Sequence, residues 1–184
     1  MKFTLDIDKA VEASLYVLNK VEGACDFHRL FKILYFAEKE HLAAFGRPIT
    51  GDQYVAMPNG PVPSFVYDAL KTLRGGKQYL TINYPVADVF EVVDWKYAGA
   101  KRAAKLEYLS ESDLQMLHAS IKENGGMDFE TLTDKSHDSA WQQAVQNDEM
   151  NVMAIATDAG ANIDMLKYIA SNVANQKVMA GNGY

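Results

Sequence analysis

Two short segments bring acid–base side chains together at a spacing that could support catalysis. Glu38 and His41 are three residues apart, which makes them neighbours on a helix, where a carboxylate can hold an imidazole as a general base. His137 and Asp138 directly follow Ser136, so the three residue types of a hydrolase triad occur in a row. Either pair would make the protein an enzyme acting on a small substrate.

A structural role explains both pairs better. Carboxylate–imidazole pairs are often structural, and no candidate nucleophile or oxyanion donor lies beside Glu38 and His41. We therefore expect both at a partly hydrated rim, with Glu38 satisfying the imidazole. Triad members meet across a fold, whereas neighbours at a helix start point apart. Ser136 is accordingly interpreted as a helix cap and Trp141 as a core anchor, and we predict no catalytic residues.

The sequence also argues against metal, disulfide and phosphate sites. Cys25 is the only cysteine, which excludes an internal disulfide and a multi-cysteine zinc site. The segment before Lys77 is not a P-loop, because Lys71 stands where its first glycine should be and Gln78 replaces the Ser/Thr. No cofactor or metal is expected. The histidines lack the close spacing of a metal motif; they are His28, His41, His118 and His137.

The elements that must position these residues are mainly predicted helices, as the spacing of their apolar residues indicates. The helix carrying Glu38 and His41 is apolar around so much of its circumference that we expect it at the centre, packed on several sides. Ser110 to Asp113 resembles a capping box and should start another long helix. The predicted helices cover about 8–22, 26–46, 61–75, 111–124, a short one from 128 and another from 136, and 162–173.

The segment 51–76 contains a short β-type run, a tight turn and an amphipathic helix. Asn59-Gly60 forms the turn, and Pro61 and Pro63 are placed in the first helical turn, where a missing N–H is tolerated. Those prolines remove two of the roughly four donors that a helix N-terminus offers to a phosphate. We therefore expect the turn to have a structural role and not to bind phosphate.

Strand-like segments are confined to the middle of the chain. Tyr79–Ile82 and Val89–Val93 are typical of strands, and Lys105–Tyr108 is a third candidate. The predicted fold is α+β, mainly α: a compact helical domain with a small antiparallel β-sheet or hairpin on one side. We expect one domain over 1–147, followed by a C-terminal helix and mobile tail over 148–184.

Composition limits the possible functions. The chain has 184 residues, 48% of them hydrophobic, enough for a proper core, and a formal charge of −6. The acidic balance makes direct nucleic-acid or membrane-surface binding unexpected, because both need a basic face. The N-terminus lacks a signal-peptide core and no apolar run is long enough to span a membrane, so a cytoplasmic protein is expected.

Several ordered segments together resemble the Panacea domain family, which was formerly a domain of unknown function and includes SocA-like and phage-associated GepA-like proteins. The resemblance spans about residues 9–147. The matching segments are Phe31–Ala37, His41-Leu42, Phe45–Ile49 with Gly51, Tyr54–Ala56, Asn59–Pro63 with Tyr67, Leu109–Glu111, Leu132-Thr133, His137-Asp138 and Trp141. Structural motif residues implied by the resemblance are Tyr35, His41, Gly46, Pro48, Gly51, Gly60, Pro61, His137 and Trp141.

The resemblance implies a mainly helical antitoxin that neutralises a toxin encoded beside it by direct protein–protein binding. It also implies, for the SocA branch, a proteolytic adaptor that delivers the toxin to a ClpXP-type protease. Such a role needs a complementary surface and no catalytic residues. The acidic balance would suit a basic, nucleic-acid-targeting toxin. The candidate contact residues are Tyr67, Tyr84, Trp95 and Tyr97.

Two alternatives stay open at this point. One is a phage or mobile-element accessory protein that binds a host factor, which would use the same kind of surface. The other is the enzyme described above, acting through Glu38 and His41 or through His137 and Asp138. A deep pocket that brings either pair within hydrogen-bonding distance would favour the enzyme.

Overall fold

The architecture is mainly α with some antiparallel β-structure, as the sequence predicts, and the strands form two small sheets. The computed structural model describes residues 2–75, 77, 79–80 and 82–181, with side chains through residue 176. Within these residues the helices are α1 (Ile7–Lys20), α2 (Phe27–Phe45), α3 (Ser64–Gly75), α4 (Val86–Val89), α5 (Glu111–Asn124), α6 (Phe129–Ser136), α7 (Ser139–Gln142), α8 (Val152–Asp158) and α9 (Ile163–Gly181).

Helix α2 lies at the centre and belongs to two hydrophobic clusters, which confirms the expectation from its wide apolar surface. One side of the helix, including Leu30 and Leu34, packs in the first cluster with α1, α3 and α5. The other side, including Tyr35 and Leu42, packs in the second cluster with α6, α8 and α9. A helix buried on both sides leaves little freedom to its polar side chains, which must find partners inside the protein.

Local capping fixes the start of most helices. Asp6, Asp26 and Asp128 each accept a backbone N–H in the first turn of α1, α2 and α6. The predicted capping box of α5 is present, with Ser110 and Asp113 exchanging hydrogen bonds. The cap predicted at Ser136 is wrong: that residue ends α6.

Five short strands form two antiparallel sheets. Strands β1 (Cys25–Asp26), β4 (Phe90–Val93) and β5 (Tyr97–Ala100) lie in the order β1-β5-β4. Strands β2 (Tyr54–Met57) and β3 (Gly60–Pro63) form a hairpin that packs on α2. The predicted β segment at 89–93 is thereby confirmed in its main part.

Three predictions for the middle of the chain are wrong. Pro61 and Pro63 lie in β3 rather than in the first turn of α3, because β3 pairs with β2 on one edge only and tolerates residues without an N–H. Lys105–Tyr108 is no strand, since residues 106–108 form a 3-10 turn. Around the predicted strand 79–82, residues 79, 80 and 82 are outside any strand and residue 81 is outside the described residues.

The C-terminal segment packs on the second cluster. Ile155 of α8 and Ile169 and Val173 of α9 are buried there. Asp148 and Met150 hydrogen bond with β2 through their backbones. Helix α9 extends through Gly181, beyond the predicted end at 173, and residues 182–184 of the predicted mobile tail lie outside the described residues.

Candidate functional site

His41 is fully buried and is held by Asp113, the acidic residue of the α5 capping box. Its Nδ1–H donates to the carbonyl oxygen of Arg47 at 2.9 Å, and its Nε2 lies 3.1 Å from Asp113 Oδ1. Lys9 and Arg47 donate to the same carboxylate at 2.7 and 3.0 Å. Although burial opposes it, the hydrogen bonds from His41 and Lys9 hold the pKa of Asp113 well below its usual range. This centre ties α1, α2 and α5 together.

Glu38 and His41 do not form the predicted hydrogen-bonded pair. Its carboxylate accepts the backbone N–H groups of Ile49 and Thr50, and the Thr50 hydroxyl at 2.6 Å. Burial nevertheless raises the pKa of Glu38. Both residues are buried rather than placed at a hydrated rim, because the loop after α2 folds back over the helix and supplies donors to Glu38 and a carbonyl acceptor to His41.

A second buried carboxylate, Asp52, lies beside Glu38 and caps α3. It accepts the backbone N–H groups of Phe65 and Val66, at 3.0 and 3.4 Å. Burial raises the pKa of Asp52 to about 7. The cavity bordered by both carboxylates has a volume of about 30 Å³, room for roughly one water molecule. It does not offer a substrate site.

Asp138 faces α2 rather than His137. Its Oδ1 accepts the Trp141 N–H at 2.9 Å as the cap of α7, and its Oδ2 accepts the Tyr35 hydroxyl and the Lys39 ammonium, each at 2.7 Å. Lys39 also binds Asp158 of α8. The carboxylate therefore joins α2, α7 and α8 in one polar network, at a position that the sequence predicted only as a helix start.

His137 stacks on Trp141, with ring centroids 3.7 Å apart and planes 9° from parallel. Its Nε2 is buried without a hydrogen-bond partner among the residues that the structure describes. Trp141 donates its indole N–H to the Met57 carbonyl oxygen at 3.0 Å. The pair thus packs α6 and α7 against the β2–β3 hairpin, and the Trp141 anchor is placed by this contact.

A buried lysine of α2, which was not singled out from the sequence, lies beneath the β2–β3 hairpin. Lys32 is fully buried on α2, and its ammonium donates to the Pro61 carbonyl oxygen at 2.9 Å. Burial lowers the pKa of Lys32 to about 7. Gly60 makes room for it: a Cβ there would lie 2.9 Å from Lys32 Nζ and closer still to Ser136 Oγ. The signal in the sequence that could have identified Lys32 was a charged residue within the otherwise apolar stripe of α2.

The polar groups singled out from the sequence therefore do not converge on a common cleft. Glu38, His41 and Asp138 are paired within the fold, and His137 stacks on Trp141. Within the described ranges no group of three His, Cys, Asp or Glu side chains is arranged to hold a metal ion. In the same part of the chain, no helix has the length and apolarity needed to cross a membrane. Architecture is the role that these contacts support.

The four aromatic contact candidates differ in exposure. Tyr67 and Tyr84 are half-buried and pack edge-on against Phe31 and Phe65 of the first cluster. Tyr97, in β5, is also half-buried. Trp95 is 71% exposed at the tip of the β4–β5 hairpin.

The turn that carries Trp95 is conformationally unusual. Asp94 and Trp95 have φ values of 48° and 63°, the left-handed region that such hairpin turns normally fill with Asn-Gly. A non-glycine residue there costs about 1–2 kcal/mol. Strained residues of this kind cluster at functional positions, and Trp95 is also the most exposed of the four contact candidates.

A family model described as antitoxin SocA-like, Panacea domain, matches residues 30–142, more than half of the chain. The chain belongs to this family. The match covers α2 through α7 and includes Lys32, Lys39, Asp113 and Asp138, so most of the buried polar contacts lie inside the SocA-like domain. No curated protein and no solved structure matches the chain.

Within the SocA-like domain, the motif residues occupy the junctions between α2 and its neighbours. Gly46 ends α2 in the left-handed conformation and lies against Tyr168 of α9. Pro48 accepts a hydrogen bond from Arg47 at its carbonyl oxygen, and Gly51 lies against the backbone of Thr4. The remaining motif residues are placed above: Tyr35, His41, Gly60, Pro61, His137 and Trp141.

Proposed function

We propose that this protein is an antitoxin that neutralises a toxin encoded by a neighbouring gene through direct protein–protein binding. The observation that carries the proposal is the SocA-like family match over residues 30–142. Antitoxins of this kind need a complementary surface rather than an active site. The internal pairing of Glu38, His41 and Asp138 supports this, since these groups are already used by the fold.

We place the partner contact at the β4–β5 hairpin tip. Trp95 offers a large amphipathic ring at low cost in side-chain entropy, and tryptophan is enriched among residues that dominate binding energy. Its exposure of 71% and its left-handed backbone support a role outside the fold itself. Tyr97 follows it in β5, whereas Tyr67 and Tyr84 lie at the edge of the core and would contribute less.

Co-expression with the adjacent reading frame tests the proposal. The adjacent product alone should arrest growth, and this protein should restore it. Trp95→Ala should lose the rescue while keeping wild-type thermal stability, and Tyr84→Phe serves as a matched aromatic control that keeps it. Equal growth with and without this protein, or an adjacent product that is harmless, contradicts the antitoxin function.

The same cells distinguish two forms of neutralisation. A proteolytic adaptor, as implied by the SocA branch, would shorten the lifetime of the toxin in a strain that has a ClpXP-type protease. A protein that acts by binding alone would leave the toxin level unchanged or raised. The toxin half-life after blocking translation is the measurement.

A further inference from the structure

Four cations lie over aromatic rings. Arg74 lies 5.7 Å from the centre of Phe27, Lys96 lies 5.0 Å from the centre of Tyr97, and Lys71 and Lys77 lie 4.1 and 5.6 Å from the centre of Tyr79. Over the described residues, none of these four forms an ion pair.

Several other cations are instead bound to carboxylates. Lys9, Lys39, Arg47, Arg102 and Lys135 each bind a carboxylate at a partly or fully buried position. Among them, Arg102, in the loop after β5, is bound to Glu12. Arg74 and Lys96, which form no ion pair among the described residues, keep their charged groups available to another molecule.

Two of the four cations border a groove of about 340 Å³, here called the basic aromatic groove and lined by Asp26, Phe27, His28, Arg74, Lys96, Tyr97 and Phe129. Phe129, 51% exposed, packs on His28 with ring centroids 4.1 Å apart and planes tilted by 31°. Burial and the charge of Lys32 lower the pKa of His28 to about 4, so this ring is neutral at neutral pH. Asp26 uses its carboxylate to cap α2 through the Arg29 N–H at 2.8 Å.

The groove is continuous with the hairpin tip. Lys96 and Tyr97 directly follow Trp95, and the Lys96 carbonyl oxygen accepts the Phe27 N–H at 2.9 Å, which fixes the hairpin beside the start of α2. Arginine, tyrosine and tryptophan are the residues that most often dominate binding energy at protein interfaces. All three types are present along this one edge.

We propose that the basic aromatic groove binds an acidic segment of the partner protein, with carboxylates at Arg74 and Lys96 and an apolar side chain against Phe129. The inference rests on the protein-binding function proposed above and names the chemistry of its partner. Guanidinium and ammonium groups without an internal partner bind carboxylates strongly, and arginine does so through two parallel hydrogen bonds.

Charge favours a short acidic segment over nucleic acid. At physiological salt, exposed charges are screened beyond about 8 Å, so one or two carboxylates in the groove respond mainly to its own cations. An extended polyanion would also meet the rest of a surface whose formal charge is −6. Second copies of this chain and single-stranded DNA are therefore outcomes that would contradict the proposal.

Peptide titration of the full chain tests the groove directly. The probe is a labelled peptide with glutamates on both sides of a phenylalanine, and its control replaces glutamate with glutamine. The glutamate peptide should bind more tightly, and Arg74→Glu with Lys96→Glu should weaken it by about tenfold or more. The double variant Lys122→Glu with Lys167→Glu has the same net charge and should leave binding unchanged.

Four results would overturn the proposal: no binding of the glutamate peptide, equal binding of both peptides, tighter binding of oligothymidylate, or equal losses in the two double variants. Lys96→Glu alone, whose side chain is exposed, provides a second variant if the pair lowers the melting temperature. Size-exclusion chromatography with and without the double change reports on self-association through the groove.

The antitoxin function and the groove can fail separately. Rescue of growth that persists in the Arg74→Glu, Lys96→Glu variant but not in Trp95→Ala would refute the groove and leave the antitoxin function standing. A harmless adjacent product would refute the antitoxin function, and the peptide titration would still decide whether the groove binds acidic segments.

Discussion

Replacing Lys32 with methionine should make this protein more stable at neutral pH. The ammonium is fully buried, and the Pro61 carbonyl oxygen, 2.9 Å away, is its only acceptor among the described residues. Burial lowers the pKa of Lys32 from 10.5 to about 7. Methionine is similar in length and carries no charge, so it keeps the packing of α2 while removing the buried ionisable group.

The magnitude follows from proton binding. Between pH 7 and about 10, the unfolded chain holds the lysine proton and the folded chain does not, so stability rises with pH over this range. Each tenfold loss of proton affinity is worth about 1.4 kcal/mol, which makes the penalty at pH 7 on the order of 4 kcal/mol. Leaving the Pro61 oxygen without a donor costs about 1–3 kcal/mol. Lys32→Met should therefore stabilise the fold by about 1–3 kcal/mol at pH 7.

At pH 10 the same variant should be no more stable than the wild type, because the wild-type lysine is then neutral and keeps its hydrogen bond. Urea unfolding followed by tryptophan fluorescence at both pH values gives the two free energies, with half-buried Trp141 as the reporter. Lys122→Met, an exposed change on α5, is the matched control. Wild-type and Lys32→Met stabilities that run parallel from pH 7 to 10 would refute the reasoning.

Three further changes probe other features. Gly60→Ala, at φ +92° and with its Cβ against Lys32 and Ser136, should destabilise by about 2–4 kcal/mol, whereas Gly23→Ala, at φ +76° in open space, should cost about 1 kcal/mol in thermal unfolding. Asp113→Asn should lower the free energy of unfolding by about 3–5 kcal/mol at pH 7. This loss of stability should shrink as the pH falls below about 4, because the Asp113 carboxylate, with its depressed pKa, stabilises the fold only while it is ionised. Urea unfolding at pH 7 and at a pH below about 4 measures the two free energies. Trp95→Gly should raise the melting temperature while abolishing toxin rescue, since glycine relieves the left-handed strain; a lower melting temperature would contradict this.

Sequence patterns predicted the long helices well because their signals are local, whereas the short helices α4 and α8 were not predicted. The caps of α1, α2, α5 and α6 and the apolar stripe of α2 each lie within a few residues of what they determine. The β3 strand was missed because proline is equally suited to a first helical turn and to an edge strand, and only the pairing with β2 distinguishes the two.

The polar contacts were harder to predict because their partners are distant in sequence. His41 has its natural partner on the same helix in Glu38, yet Asp113 of α5 binds it. Asp138 likewise binds Tyr35 and Lys39, about a hundred positions earlier, rather than its neighbour His137. Spacing along one helix identifies candidates, but the tertiary fold chooses among them. Trp95 was chosen as a contact candidate from its residue type alone, and its left-handed backbone could not be read from the sequence.

The position of α2 between two hydrophobic clusters has a consequence for synthesis on the ribosome. Its first cluster is complete once Leu117 has emerged, whereas the second waits for Ile169 and Val173 of α9. At a translation rate of about 5–20 residues per second, the side of α2 with Tyr35 and Leu42 stays incompletely covered for on the order of 10 s. Nascent chains of this protein therefore expose apolar surface on α2 to chaperones at the ribosome until α9 has been synthesised.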